Sequence, residues 1–337
     1  MGAMFPALRR DPRPVESEDR PRPFLKRVDL AMREAAAHDL FILGFLVFLV
    51  AAAYQGEGPH RARCLWLTGA LVAIFAALLV AVRGGLLRHR VATPLVYRVV
   101  LFGCVQAPYF LLRRLLPTAS PGSLDEALYR LDLRLFGVEP ALWLDRFVTP
   151  ATTEWFAFFY FSYFTILAVH VLPILFLARN PRLLSEFGVA MFVIVCGGQM
   201  VYFLVPGYGP YAALAPLFSR PLPHGTFQDL VTSAVASSGA LKDIFPSLHT
   251  AMPTTMALFS LRWRRVVPLR YTGPIVGFFA LNIIGATLFL RWHYLIDVVA
   301  GLALAAAAIT AGALVTRWET ERRARLGLSP AWPPLFR

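Results

Sequence analysis

The chain has 337 residues, 57% of them hydrophobic, and 33 lysines and arginines against 20 aspartates and glutamates leave a formal charge of +13. A soluble domain is about 45–50% apolar. Here the excess is gathered into long runs, which excludes an ordinary soluble fold and points to an all-α, multi-pass integral membrane protein. The basic residues stand between the apolar runs and form no basic and aromatic surface motif. The charge is therefore read as membrane topology and contact with bilayer headgroups, and nucleic acid is excluded as a partner.

Residues 1–38 are polar, Pro-rich and Arg-rich, with no short apolar core near Met1. They read as a cytoplasmic segment without a cleavable signal, so the first span serves as the insertion signal. A membrane helix needs about 20 mostly apolar residues, and about eight segments qualify. They cover residues 40–54, 64–82, 93–112, 155–178, 187–205, 245–263, 271–290 and 295–315. The sixth is the weakest, because Ser247, His249 and Thr250 fall in its first turn. The expectation is a polytopic helical bundle over residues 39–316, with a six-helix catalytic core and a cytoplasmic tail over 317–337. The two polar ends, 1–27 and 319–337, read as loosely ordered.

Between the third and fourth spans, Ser123-Leu124-Asp125-Glu126 has the form of a capping box. Leu124, Leu128, Leu131 and Leu135 follow at helical spacing, which predicts a short amphipathic helix in the membrane interface. It is either a rim that guides lipid or a connector. Cys64, Cys104 and Cys196 lie far apart in apolar stretches and read as small buried hydrophobes. His170 and Gln199 lie inside spans, where interhelical hydrogen bonding is expected, and Arg98 is placed to snorkel. Most loop arginines, among them Arg88, Arg90, Arg182, Arg264, Arg265 and Arg322, fall on one side if the spans alternate. Arg61, Arg63, Arg113 and Arg114 are exceptions. The basic side is taken as cytoplasmic, with both termini on it.

Two histidine motifs then face the other, extracytoplasmic side. In the later one, His293 and Asp297 are four residues apart and Gly301 follows at the same spacing. On a helix the three share a face. The carboxylate can take the Nδ1 proton, leaving Nε2 as a nucleophile, and Gly301 permits close helix packing. Arg291 offers a fork suited to phosphate oxygens. In the earlier motif, Phe245-Pro246-Ser247-Leu248-His249-Thr250, Pro246 fits the first turn of a helix. Free N–H groups there, with the Ser247 hydroxyl, can bind an anion, and His249 can protonate a leaving oxygen. Ionisable groups at membrane segments are expensive and are functional candidates for that reason. A transporter would place them near the midplane on broken helices of repeated halves, and no repeat is visible.

The stretches Pro246-Ser247-Leu248-His249-Thr250 and His293 to Gly301 resemble the second and third signatures of the type 2 phosphatidic acid phosphatase superfamily. The resemblance extends over residues 187–315. It implies that His293 is the nucleophile forming a phosphohistidine, that Asp297 orients it and that His249 protonates the leaving group. It also implies that no metal or other cofactor is needed. The first signature departs from the family pattern: Arg220-Pro221 is present, but Ala213 stands where a lysine is usual. In the third, Ala286 and Thr287 replace a Ser-Arg pair, and an arginine appears instead at Arg291. These variants look more like the inositol phosphorylceramide synthase branch, whose members transfer a phosphorylated headgroup between lipids. Residues Pro206-Gly207-Tyr208-Gly209-Pro210-Tyr211 sit where that branch has a Pro- and aromatic-rich loop. Tyr208 and Tyr211 are thus candidate substrate contacts, and Lys242 or Arg220 is a candidate for the missing basic residue. The alternative is a phosphatase that releases phosphate to water.

Overall fold

The computed structural model describes residues 23–238 and 241–335. They form helices and connections, with no strand among the described residues. In chain order the helices are α1 (Pro23–Glu34), α2 (Ala37–Gln55), α3 (Arg61–Val82), α4 (Ala92–Ala119), α5 (Asp125–Phe136), α6 (Pro140–Leu144), α7 (Pro150–Leu177) and α8 (Pro181–Phe192). A π-helical turn at Val193–Gly197 joins α8 to α9 (Gly198–Leu204). Then come α10 (Pro210–Ala213), α11 (Thr226–Ser238), α12 (Leu248–Arg262), α13 (Leu269–Phe289) and α14 (Leu295–Leu326).

Seven of these runs are long and apolar enough to cross a membrane: α2, α3, α4, α7, Pro181–Leu204, α13 and α14. The sixth expected span is α12, which has only 15 residues. At 1.5 Å per residue that is about 22 Å, short of the hydrocarbon core. It tolerates its shortness and its polar groups because protein surrounds it. Thr250, Thr255 and Ser260 are fully buried in its packing with α13, α14 and α7. As expected, His170 bonds across helices, with Nε2 3.3 Å from the Ser260 hydroxyl. The three cysteines are free and buried.

Alternation of the long helices gathers residues 120–149, 205–238, 241–247 and 290–294 on one face of the bundle. The described chain ends lie on the opposite face. There the structure corrects two expectations. Arg98 does not snorkel: it is buried, and its guanidinium donates to the carbonyls of Leu175 (2.9 Å), Pro94 (3.2 Å) and Pro333 (2.9 Å). The C-terminal segment is not loose either. Helix α14 runs on to Leu326, with Glu319 and Arg323 buried and paired at 2.6 Å. Beyond it, Arg83 holds the Ala331 carbonyl at 2.5 Å, and the Trp332 ring stacks on His38 at 4.9 Å. Of the N-terminal segment, residues 1–22 lie outside the described residues.

Candidate active site

The two histidine motifs meet through helix starts. Ser247 is the N-cap of α12, its hydroxyl accepting the Thr250 N–H at 3.2 Å. Pro246 therefore precedes the helix and is not in its first turn. Tyr294 is the N-cap of α14, and Asp297, three residues on, accepts the Tyr294 N–H at 3.0 Å. The Ser247 N–H donates to the Asp297 carbonyl at 3.0 Å, which ties one helix start to the other. Gly301 makes that approach possible, because a Cβ there would lie 2.6 Å from the Ser247 carbonyl oxygen.

His293 precedes α14, so it does not share a helical face with Asp297 as the spacing suggested. The pair forms nonetheless, because a capping carboxylate reaches back over the helix start: His293 Nδ1 and Asp297 Oδ2 are 3.3 Å apart. The other oxygen, Asp297 Oδ1, is buried without a partner. Across from it the His249 ring lies flat against Tyr160, with centroids 4.4 Å apart, and also touches Tyr163. The two imidazole centroids are 6.2 Å apart. His249 Nε2 is buried and makes no hydrogen bond.

Both rings line one cavity of about 260 Å³, together with Tyr208, Tyr211, Trp292 and Asp243. The expected substrate contacts Tyr208 and Tyr211 are thus at the cavity wall, with Tyr211 packed on Trp292 at 4.6 Å. Asp243 stands between Lys242 and the histidine motif, and nothing in its spacing along the chain marks it as part of the cavity. Burial pushes the Asp243 carboxyl above its ordinary value, against the opposing effects of its own backbone N–H and of His293. Burial also lowers His293 to about 4, although the Asp243 charge and a hydrogen bond to the Ile244 backbone act the other way. Gln199, expected to bond between helices, lines the cavity with its Oε1 unpartnered.

The other candidates are elsewhere, each for a visible reason. Arg291 Nη2 is 2.7 Å from Asp145 Oδ1 and 2.8 Å from the Arg220 carbonyl, and its guanidinium lies over the Phe218 ring. Burial acts to raise Asp145, but hydrogen bonds from Ser219 and the charges of Arg291 and Arg220 outweigh it and hold the carboxyl below its ordinary value. Arg291 also has a φ of +68°, a conformation that costs a residue with a side chain. The ion pair and the backbone bond from Tyr211 N–H to the Arg291 carbonyl (2.7 Å) hold it there. Lys242 donates to three backbone carbonyls, those of Ser120 (3.0 Å), Pro121 (2.8 Å) and Gly122 (2.9 Å). The Arg220 side chain is exposed, and the Ser247 hydroxyl is used as a cap. None of Arg291, Lys242, Arg220 and Ser247 lines the cavity, and among the described residues no lysine or arginine does.

Helix α5 fastens these loops. No side-chain cap starts it: Leu124 is its N-cap, and the expected Ser123 box is not formed. Its buried face is Asp125, Leu128 and Asp132, while Leu131 and Leu135 are exposed. Asp125 accepts the N–H groups of Tyr208 (2.9 Å) and Gly209 (2.8 Å) and the Tyr294 hydroxyl (3.2 Å). Asp132 accepts the N–H groups of Leu295 (2.7 Å) and Ile296 (2.9 Å), the first turn of α14. The amphipathic helix is therefore a clamp on the segment carrying His293. Among the described residues no group of three or more His, Cys, Asp or Glu side chains is arranged to hold a metal.

No curated protein and no solved structure matches the chain. A family model described as the PAP2 superfamily matches residues 126–311, more than half of the chain, and takes in α5, both histidine motifs and the helices that carry them. The chain belongs to the PAP2 superfamily, whose members are phosphatases and phosphotransferases of lipid phosphoesters.

Proposed function

We propose that this protein transfers a phosphorylated headgroup from one lipid to another through a phosphohistidine at His293. One observation carries the reading: two imidazoles, one in the first turn of α12 and one just before α14, face each other across 6.2 Å in one cavity, one of them bonded to a buried carboxylate. That separation admits a phosphorus-centred group with each ring within the roughly 3–3.5 Å of a reactive approach.

Asp297 keeps the proton on Nδ1, and the lone pair of Nε2 attacks phosphorus. The bond from phosphorus to the donor lipid oxygen breaks as His249 gives that oxygen its proton. An acceptor hydroxyl then loses its proton to His249 and attacks the phosphohistidine, and the N–P bond breaks. Two displacements replace one harder one. Arg291 and Lys242 act here as positioning residues, holding the loops that carry His293 and the second motif. Tyr208, Tyr211 and Asp243 face the headgroup.

The cavity wall favours transfer over release of free phosphate. A phosphomonoester brings up to two negative charges, and such sites ordinarily answer them with lysine or arginine. Here the ionisable groups at the wall are two histidines and an aspartate, apart from tyrosines. A phosphodiester with a single charge fits that balance better. The basic face of the bundle is assigned to the cytoplasm, so the site opens to the extracytoplasmic side.

The test uses purified full-length protein and phospholipids labelled in the headgroup, with and without ceramide or diacylglycerol as acceptor. A new labelled phospholipid is expected, and free phosphate as the only labelled product would establish a phosphatase instead. His293→Ala is expected to lose turnover and any acid-labile phosphoenzyme by at least about a thousandfold. Turnover at the wild-type rate in that variant would refute the mechanism.

A further inference from the structure

The cavity at the histidines does not end there. A second, apolar groove of about 260 Å³ runs between α4, α7 and α8, and it shares Gln106, Phe164, Leu167, Val195 and Met252 with the first. Its wall descends through Val105 and Leu101 on α4, Val171 and Leu175 on α7, and Met191 and Leu184 on α8. Gln106, at the junction with the upper cavity, is its one amide, and no charged side chain lines it among the described residues. From Tyr160 beside His249 to Leu175 is 15 residues of one helix, about 22 Å. That exceeds one leaflet of hydrocarbon, half of about 30 Å.

The far end is closed by the C-terminal segment. Trp332 lines the groove there, seated among His38, Tyr97 and Phe192. Gly188 leaves it room, because a Cβ at that position would lie 2.8 Å from the indole. The flanking backbone is pinned by Arg83 to Pro330 and Ala331 and by Arg98 to Pro333. A tryptophan fixed on both sides at the foot of an apolar groove is a stop.

We infer that this groove holds one extended hydrocarbon chain of the substrate lipid and that Trp332 sets the length of chain it accepts. The inference rests on the lipid-phosphoester reading of the upper cavity, from which the groove continues. Every methylene that enters the groove adds apolar surface removed from water, so a chain that fills it is selected over a shorter one, and one that strikes the floor leaves its end outside.

The test is photocrosslinking of the purified full chain with alkylphosphocholines of 8, 16 and 22 carbons carrying a diazirine at the terminal carbon. The 16-carbon probe is expected to label Val171, Leu175 or Trp332, and the 8-carbon probe to label near Phe164. Val171→Trp, which fills the groove midway, is expected to cut labelling below it at least about tenfold, equivalent to about 1.4 kcal/mol. Leu281→Trp, on the exposed face of α13, is the control and leaves the pattern unchanged. Trp332→Ala is expected to raise capture of the 22-carbon probe relative to the 16-carbon one. If Trp332→Ala does not fold, Val171→Trp still decides. Label spread over outward residues such as Ile275 and Leu281, or a pattern unaffected by Val171→Trp, overturns the groove. Label in the groove without turnover of any phospholipid would sink the enzymatic reading and leave the groove standing.

Discussion

At His293 three influences meet: burial, the Asp243 carboxylate and the Ile244 backbone. Burial prevails and lowers the ring to about 4. The sign is direct. A histidine with a lowered pKa stays neutral down to that value, so the proposed nucleophile is competent across neutral pH and is lost as pH falls through about 4. The acid limb of kcat/KM is expected near 4, not near the ordinary 6.5. A pH–rate profile with a limb at 6.5 would contradict this account. The histidines and Asp297 were legible because their spacing is local. The fate of Arg291 was not: its partner Asp145 is 146 positions away and comes beside it only in the fold. The place of Lys242 is hidden for the same reason, since backbone carbonyls more than a hundred residues distant leave no mark in the sequence.

Helix α5 frames the site, and α6, packed against α13, starts at a titrating group. Glu139 is the N-cap of α6, with Oε2 accepting the Leu142 N–H at 2.7 Å and Oε1 buried without a partner. Burial raises it to about 7; the Leu142 N–H opposes the shift and the Asp132 charge adds to it. An acid whose folded pKa is raised holds its proton more tightly in the fold, so stability is lost as pH rises from 4.5 through about 7. Glu139→Gln keeps the acceptor for Leu142 and removes the charge. Its thermal midpoint in detergent is expected to exceed wild type at pH 8 by about 2–4 °C and to match it at pH 4.5. An equal shift at both values would show that charge is not the cause. Among whole elements, the long helices were legible because apolar runs of membrane length have few other readings. The docked C-terminal segment was not, because a Trp-Pro-Pro stretch near a chain end carries no sign of the place prepared for it by Gly188 and His38.

The molecule as a whole has a charge asymmetry that bears on which way the site faces. Arg88, Arg90, Arg182, Arg264, Arg265, Arg317 and Arg325 lie at the face opposite the histidines. Arg61, Arg63, Arg113 and Arg114 lie at the site face. Several site-face arginines are engaged locally: Arg61 on the Tyr54 carbonyl, Arg113 on the Ala236 carbonyl and Arg130 on Glu126. Orientation follows the excess of arginine in short loops close to the spans, which favours the face opposite the site as cytoplasmic. Cysteine labelling tests this cleanly, because the three native cysteines are buried. His224, exposed on the site face between α10 and α11, and Arg264, exposed between α12 and α13, are suitable positions for single cysteines. In intact cells a membrane-impermeant maleimide is expected to modify His224→Cys and to reach Arg264→Cys only after permeabilisation. The reverse pattern would place the histidines on the cytoplasmic side, and the donor and acceptor lipids would then have to come from the inner leaflet.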